Sequence, residues 1–446
     1  MTPLTAARAQ MEVSLAFHMI FAALGIGMPL LMVLAEALWL RTKRDEYRAL
    51  ARTWAKATAL LFAVGAVSGT ALSFELGLLW PGFMRFAGAV IGPAFAMEGY
   101  AFFIEAIFVG LYLYGWDRLS PKAHFLCGIP VALSGLLSGA FVVAVDAWMQ
   151  TPVLYTIVDG RAAPVTGWAV FLAPSWPTMA VHSSLSCYAA TGFAVAGVYA
   201  LGILRGNDDR YHRAGLRIAL AVASVAILAQ MPSGHSSAQH VAAEQPVKLA
   251  AMEALYHTER GAPLLIGGIP DRANERVRFA IELPKMLSLM SFNDRDAAVR
   301  GLREWPADER PNELVVHLAF QLMVAAGTAL LALAALWLAQ RLRARKSKAD
   351  EPRWLLWGAL VASPLGMLAL EAGWFVTEVG RQPWVVRGLL RTRDAVTPAG
   401  GVALSFFTFS LLYVGLGAAL VALLRGIARH RRESLARGPS TAEVHA

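Results

Sequence analysis

Charge is scarce in this chain. Of its 446 residues only 16% are charged, against about 25% in an average soluble domain. With 57% of residues hydrophobic, a water-soluble globular domain is excluded. Apolar stretches of about 20 residues recur along the whole length, which makes the chain an all-α polytopic integral membrane protein. Cysteine is almost missing. Cys127 and Cys187 are the only two, and both lie in apolar runs, so no disulfide framework is implied. The N-terminus lacks a basic segment followed by a small-residue cleavage site, and its first apolar run is too long for a secretory leader. Acidic residues are fewer than basic ones, 31 against 40, for a net charge of +9. The basic residues are confined to certain loops. They report topology and not nucleic-acid binding, so no nucleic-acid partner is expected.

About nine spanning helices are expected: 13–39, 53–78, 94–116, 125–148, 178–204, 212–233, 312–340, 354–378 and 402–425. Basic residues cluster after the first (Arg41, Lys43, Arg44, Arg48, Arg52) and between the third and fourth (Arg118, Lys122). They cluster again between the fifth and sixth (Arg205, Arg210, Arg213, Arg217) and between the seventh and eighth (Arg341, Arg343, Arg345, Lys346, Lys348, Arg353). The tail adds Arg425, Arg429, Arg431 and Arg432. With nine spans all five groups fall on one side. The positive-inside rule makes that side cytoplasmic and puts the N-terminus outside and the C-terminus inside. The organisation that follows is 1–233, helices one to six; 234–311, a long external loop; 312–428, helices seven to nine; and 429–446, a basic cytoplasmic tail expected to be disordered.

Several polar groups sit inside the spans. The first helix carries Arg8, Gln10 and His18 in RAQMEVSLAFHMIF. The third carries Glu98 and Glu105, seven residues apart, which is two turns and about 10 Å along one face. The fourth ends SGAFVVAVDAWMQTPV, with Asp146 read as an interfacial carboxylate in preference to a proton-path member. The fifth opens WPTMAVHSSLSCYAATGF, where small residues after His182 let a flat group or another helix approach closely. The seventh reads VVHLAFQLMVAAGT, with Met323 about three turns in and His317 further out. The eighth carries Glu371 in EAGWFVTEVGRQPW, and Arg381 beyond it is placed at the surface. Charged groups at such depth need a partner or a cation. Each has a plainer reading: a helix-to-helix hydrogen bond for the histidines and acids, packing for the methionine. The topology nevertheless puts His18, Glu98, His182, Met323 and Glu371 in the outer half of the bilayer, from five different helices. That common level suggests a cofactor layer. The external loop contains EQPVKLAAMEALYHTE, whose alternation suggests a short interfacial helix. Lys248 and Glu253 there would ordinarily be a solvated face.

The EAGW…GRQPW stretch, the text after Glu105 and the start of the external loop resemble subunit I of the cytochrome bd quinol oxidases, and the resemblance runs over nearly the whole chain. It implies a heme-binding bundle with one external quinol loop. It implies that His18 serves the oxygen-reducing heme, that His182 and Met323 hold a low-spin heme b, and that Glu371 ligates a high-spin heme b. Arg8 and Arg381 join the cofactor-binding set. Glu98 lies near the oxygen-site hemes, Glu105 on the proton path, and Lys248 and Glu253 act in quinol oxidation. The implied cofactors are two heme b and one heme d, or a third heme b in its place. The implied partners are subunit II in a heterodimer, an optional small accessory membrane subunit, quinol, O2 and the lipid bilayer. The activity would be that of an electrogenic quinol:O2 oxidoreductase in the bacterial cytoplasmic (inner) membrane. The chain departs from the pattern at three places. The spacing from Glu98 to Glu105 is one residue shorter, a difference a π-bulge would absorb; Gln321 stands where an arginine is common; Met367 stands where better-known members have tryptophan. The rival readings are a bd-like heme protein with a non-oxygen partner, a cofactor-free transporter, and a structural subunit. A transporter should show inverted repeats and broken helices, and the sequence has no convincing repeat.

Overall fold

The computed structural model describes residues 2–347 and 350–436; Lys348 and residues 437–446 of the tail lie outside them. Among the described residues nine helices are long and apolar enough to cross a membrane. The first four, α1 (Pro3–Thr42), α2 (Asp45–Leu79), α3 (Pro81–Tyr114) and α4 (Pro121–Gln150), follow one another through short turns. Their starts are written in the sequence. Thr2 and Ser120 cap α1 and α4 by accepting the backbone N–H of Thr5 and Ala123, and prolines open α1, α3 and α4 where a missing N–H costs nothing. After α4 a hairpin of β1 (Tyr155–Val158) and β2 (Arg161–Pro164) turns through Asp159 and Gly160, both with positive φ. Then come α5 (Trp176–Leu204) and α6 (Arg210–Glu244). The apolar windows of α5 and α6 are 61% and 56% buried, so these two form the centre of the bundle. Glycine allows the close approaches there. A Cβ on Gly27 of α1 would meet Thr191 at 2.3 Å, and one on Gly192 would meet the Ala219 carbonyl of α6 at 2.9 Å.

The sixth helix runs past the expected end at 233 to Glu244, so the external loop begins later. That loop is folded. It holds α7 (Pro246–Met252), then β3 (Glu259–Arg260), β4 (Leu264–Ile266), β5 (Ile269–Asp271), β6 (Arg276–Arg278), β7 (Ile281–Leu283), α8 (Met286–Phe292) and β8 (Ala298–Val299). The pairs β5–β6, β4–β7 and β3–β8 nest inside one another as an antiparallel arm. The seventh span is α9 (Glu313–Ser347). The eighth is not one helix. It is α10 (Arg353–Ala362) and α11 (Leu365–Val379), broken where Pro364 has no N–H to give and Ser363 returns its hydroxyl to the Leu360 carbonyl. Just past the break a Cβ on Gly366 would lie 2.6 Å from the Ala190 Cα of α5. Strands β9 (Trp384–Val386) and β10 (Leu390–Arg391) and the short α12 (Thr392–Ala395) lead to α13 (Val402–Ala436). The last helix runs on to Ala436, so the described part of the tail is helical where disorder was expected.

Candidate functional site

Three of the candidate ligand side chains rest against glycine. A Cβ on Gly69 of α2 would stand 2.9 Å from His18 Cε1. One on Gly373 of α11 would stand 3.0 Å from the Met323 sulfur, and one on Gly234 of α6 would stand 3.5 Å from His182 Cε1. The missing side chain opposite each is what lets the candidate ligand pack directly against the neighbouring helix. The His18 tautomer is set by its neighbour. Ser68 donates its one hydroxyl proton to the Gly65 carbonyl at 3.1 Å and lies 2.9 Å from His18 Nδ1. A Ser68 hydroxyl that donates to this carbonyl accepts from Nδ1–H, and that arrangement leaves the Nε2 lone pair free, the form a metal ligand needs. His182 is held by the Gln230 amide, which donates to its carbonyl at 3.2 Å and lies 3.1 Å from Nε2, and by Ser233, 3.3 Å from Nδ1.

Glu371 is the outlier. Both its carboxylate oxygens are shut off from solvent, and neither has a hydrogen-bond partner among the described residues. A buried carboxylate with no donor is a group waiting for a cation. Among the described residues no three His, Cys, Asp or Glu side chains converge on a bare metal ion. Imidazole and thioether are side chains that hold heme iron, and Glu371 adds an unpartnered anion for a cation; the residues present fit heme.

On α3, Glu98 is half-buried and Glu105 buried. The helix is unbroken α from Pro81 to Tyr114, so no π-bulge absorbs the short spacing, and the two acids share one face. The Glu105 carboxylate lies where a Cβ on Gly135 of α4 would meet it at 3.4 Å, next to the Gly25 carbonyl of α1.

Lys248 and Glu253, in the long loop, depart furthest from expectation. Helix α7 is buried all round and is not interfacial: Lys248 is 4% exposed and Glu253 3%. The Lys248 ammonium donates to Gln150 Oε1 at 2.5 Å, and the Gln150 amide bonds Asp146 at 3.3 Å and the Thr377 carbonyl at 3.3 Å. Asp146 is not an interfacial carboxylate. It accepts from Arg381 at 2.5 Å with both side chains nearly sealed. Arg381 is likewise not at the surface; it is 4% exposed and also pairs with Glu378. Arg8 is exposed near the N-terminal end of α1, where its charge acts on Glu12. Burial pulls the Lys248 amine down to about 7 and pushes the Glu253 carboxyl up to about 8. Both groups can exchange a proton near neutrality.

The loop arm is tied to α9 by side chains the sequence did not single out for this. Gln321, in place of the common arginine, accepts the Gly267 N–H at 2.9 Å and donates to the Leu265 carbonyl at 3.0 Å. His317, fully buried, sits 2.8 Å from the Met252 carbonyl and 3.2 Å from that of Gly267. Glu378 and Gln150 were also missed. Glu378 lies inside EAGWFVTEVGRQPW, three residues before Arg381, and that spacing on a helix was a usable signal. Nothing in the sequence marks Gln150.

These features define the class: a polytopic helical membrane protein with histidine, methionine and unpartnered acid in its interior and a folded, side-chain-clasped loop at one end. Comparison narrows it. Residues 6–432 match the family of cytochrome bd terminal oxidase subunit I, and the chain belongs to that family. A Bacillus subtilis protein provisionally named cytochrome bd menaquinol oxidase subunit I is 38% identical over 428 residues, covering 95% of this chain and 96% of the relative. The Bacillus subtilis cytochrome bd ubiquinol oxidase subunit 1 is 33% identical over 440 residues, covering 95% and 93%. The structure of bd oxidase from Geobacillus thermodenitrificans superposes with a TM-score of 0.90 at 36% identity, covering 98% of this chain and 99% of that one. The chain is accordingly a quinol:O2 oxidoreductase subunit of a bacterial membrane. Its family implies heme cofactors and a subunit II beside it.

Proposed function

We propose that this subunit binds and oxidises quinol at the outer face, where Lys248 and Glu253 lie, and reduces O2 to water with protons drawn from the cytoplasm. The hemes, when bound, carry the electrons and activate oxygen; the chain supplies ligands, depth and proton routes. His182 and Met323 would hold a low-spin heme b, Glu371 a high-spin heme b, and His18 the heme that meets oxygen, d or a third b. Glu98 stands near the oxygen-site pair and Glu105 on the cytoplasmic proton route. Arg381, fixed by Asp146 and Glu378, and Arg8 at the outer end of α1 supply positive charge beside the cofactors. Lys248 and Glu253, sealed from water yet titrating near neutrality, take up the protons that quinol gives off. The N-terminus lies outside and the C-terminus inside, as the basic loops require.

The observation that carries this reading is Glu371, a buried carboxylate with both oxygens unpaired in the stretch most characteristic of the family. Reduced-minus-oxidised and carbon monoxide difference spectra of the purified complex test it. Glu371→Ala should lose the high-spin heme b signal and His18→Ala the oxygen-binding one. Native spectra and full heme content in Glu371→Ala would leave the glutamate an ordinary buried acid.

A further inference from the structure

At the end of the bundle opposite the loop, where α1 leaves the membrane and α4 enters it, a second buried acid–base group stands outside everything described so far. Glu36 on α1 is 0% exposed and His124 on α4 is 2% exposed. His124 Nδ1 lies 2.7 Å from Glu36 Oε1, and His124 Nε2 lies 2.9 Å from the Tyr112 carbonyl of α3. A carbonyl only accepts, so Nε2 must carry a hydrogen. Nδ1 then either accepts from a protonated Glu36 or donates to an ionised one. In both cases one proton is shared between the two side chains, and the pair as a whole is neutral. A proton gained from or lost to the surroundings leaves the pair with a single charge, which the shared hydrogen spreads over both side chains.

Its surroundings link it in two directions. Toward the surface, the imidazole packs on Trp116, ring centroids 4.0 Å apart, and the Arg52 guanidinium lies 5.0 Å over that indole while pairing with the exposed Asp117 at 3.0 Å. Toward the interior, Tyr112 packs on His124 at 4.3 Å, and its buried hydroxyl, without a hydrogen-bond partner among the described residues, lies within electrostatic reach of the Glu36 carboxylate. The same tyrosine lines a narrow seam with Met32, Thr58 and Val109, and the buried Thr58 hydroxyl there has no partner among the described residues. Seven residues along α3 from Tyr112 is Glu105 on the same face, about 10 Å up the helix. Glu105 sits between the same three helices, at Gly25 and Gly135. The ionisable groups nearest the pair are thus Tyr112 from α3 and, beyond Trp116, the Arg52–Asp117 ion pair.

We propose that Glu36, His124 and Tyr112 form the cytoplasmic intake of the proton route that Glu105 continues. A proton taken up at the pair passes to the Tyr112 hydroxyl, which gives its own proton onward along the seam beside Thr58. No electron moves and no bond other than O–H and N–H is made or broken. This rests on the oxygen-reducing reading above.

The test uses the whole detergent-solubilised complex. Heme spectra and quinol-driven oxygen uptake of the unaltered complex come first, and their absence would sink the general reading and not this one. Net proton uptake is then followed with a pH indicator after oxygen is admitted to the reduced complex, in H2O and in D2O. Glu36→Gln keeps a hydrogen bond to the imidazole but holds no transferable carboxyl proton. It should retain full heme content, slow proton uptake at least tenfold and raise the solvent isotope effect. Tyr112→Phe removes one hydroxyl and should slow uptake severalfold. If Glu36→Gln fails to assemble, Tyr112→Phe carries the test alone. Full heme content with an unchanged uptake rate and isotope effect in either assembled variant would make the pair a structural clasp of three helices and overturn the proposal.

Discussion

At the scale of single residues, the proposed site depends on what is absent opposite each ligand. Gly69→Ala would put a methyl about as close as 2.9 Å to His18 Cε1, nearer than van der Waals contact allows. His18 must then rotate or α2 must shift. The expected outcome is loss of the oxygen-binding heme signal with the remaining spectrum intact, read by carbon monoxide difference spectra, although no ligand has been changed. Met323→Leu should abolish or shift the low-spin signal and leave the other two. Lys248 and Glu253 make a pH prediction with a definite sign. Lys248 falls from an ordinary 10.5 to about 7 on burial, so the undocked loop binds more protons from about 7 upward, and docking strengthens as pH rises there. Glu253 rises from 4.5 to about 8, so docking weakens as pH climbs through that range and levels off above it. Between about 7 and 8 the two slopes oppose and cancel. Glu253→Gln should expose a docking strength that rises by about 1.4 kcal/mol per pH unit across that window, and Lys248→Met one that falls by as much. Limited proteolysis of the loop at pH 7 and pH 8 reads both. A flat response in both variants would mean the side chains do not change environment when the loop lifts.

At the scale of elements, the link between α4, α7 and α11 is a buried ion pair extended by an amide. Removing one partner of such a pair leaves an uncompensated charge, typically at a cost of about 3–5 kcal/mol. Asp146→Ala leaves Arg381 with Glu378 alone, so the lower end of that range is expected, as a lowered thermal midpoint of the complex. Asp146→Asn, which keeps an acceptor for Arg381, should recover part of it. The elements also show what sequence could and could not supply. The nine spans were legible because lipid demands about 20 apolar residues from each, whatever they pack against. The break at Pro364 was legible in principle, but an apolar run of ordinary length concealed it. The burial of Lys248 was not legible. It follows from Gln150, 98 residues away in sequence, and no local pattern encodes that distance. Reading α7 as interfacial followed from its alternation, and tertiary packing overrode it. For Asp146 and Arg381 the sequence showed two charges at membrane ends. Only the folded chain shows them to be each other's partner, 235 residues apart.

At the scale of the whole molecule, burial is uneven. The apolar windows of α2 and α13 are only 17% and 11% buried. Leu404, Phe407, Leu411 and Val414 of α13 stand exposed, as do Tyr100, Phe103, Ile107 and Leu111 of α3. Apolar surfaces of this extent need lipid or another chain to cover them. The clasp on α9 reaches further than its hydrogen bonds. His317 and Gln321 grip the loop, and Met323 lies half a turn beyond Gln321 on the same rigid helix. Under the proposed ligation, one element therefore carries the hold on the quinol loop at one point and the hold on the electron-accepting heme at another. Thermodynamic linkage makes such an arrangement reciprocal. If a quinol analogue tightens the loop by some free energy that depends on the redox state of that heme, the heme's midpoint potential must shift on binding by the same free energy. Gln321→Ala, which cuts two of the three anchors on Leu265 and Gly267, should shrink that shift while leaving the ligand set untouched, as measured by redox titration with and without the analogue. Electron entry in this protein would then be a matter of leverage as well as distance.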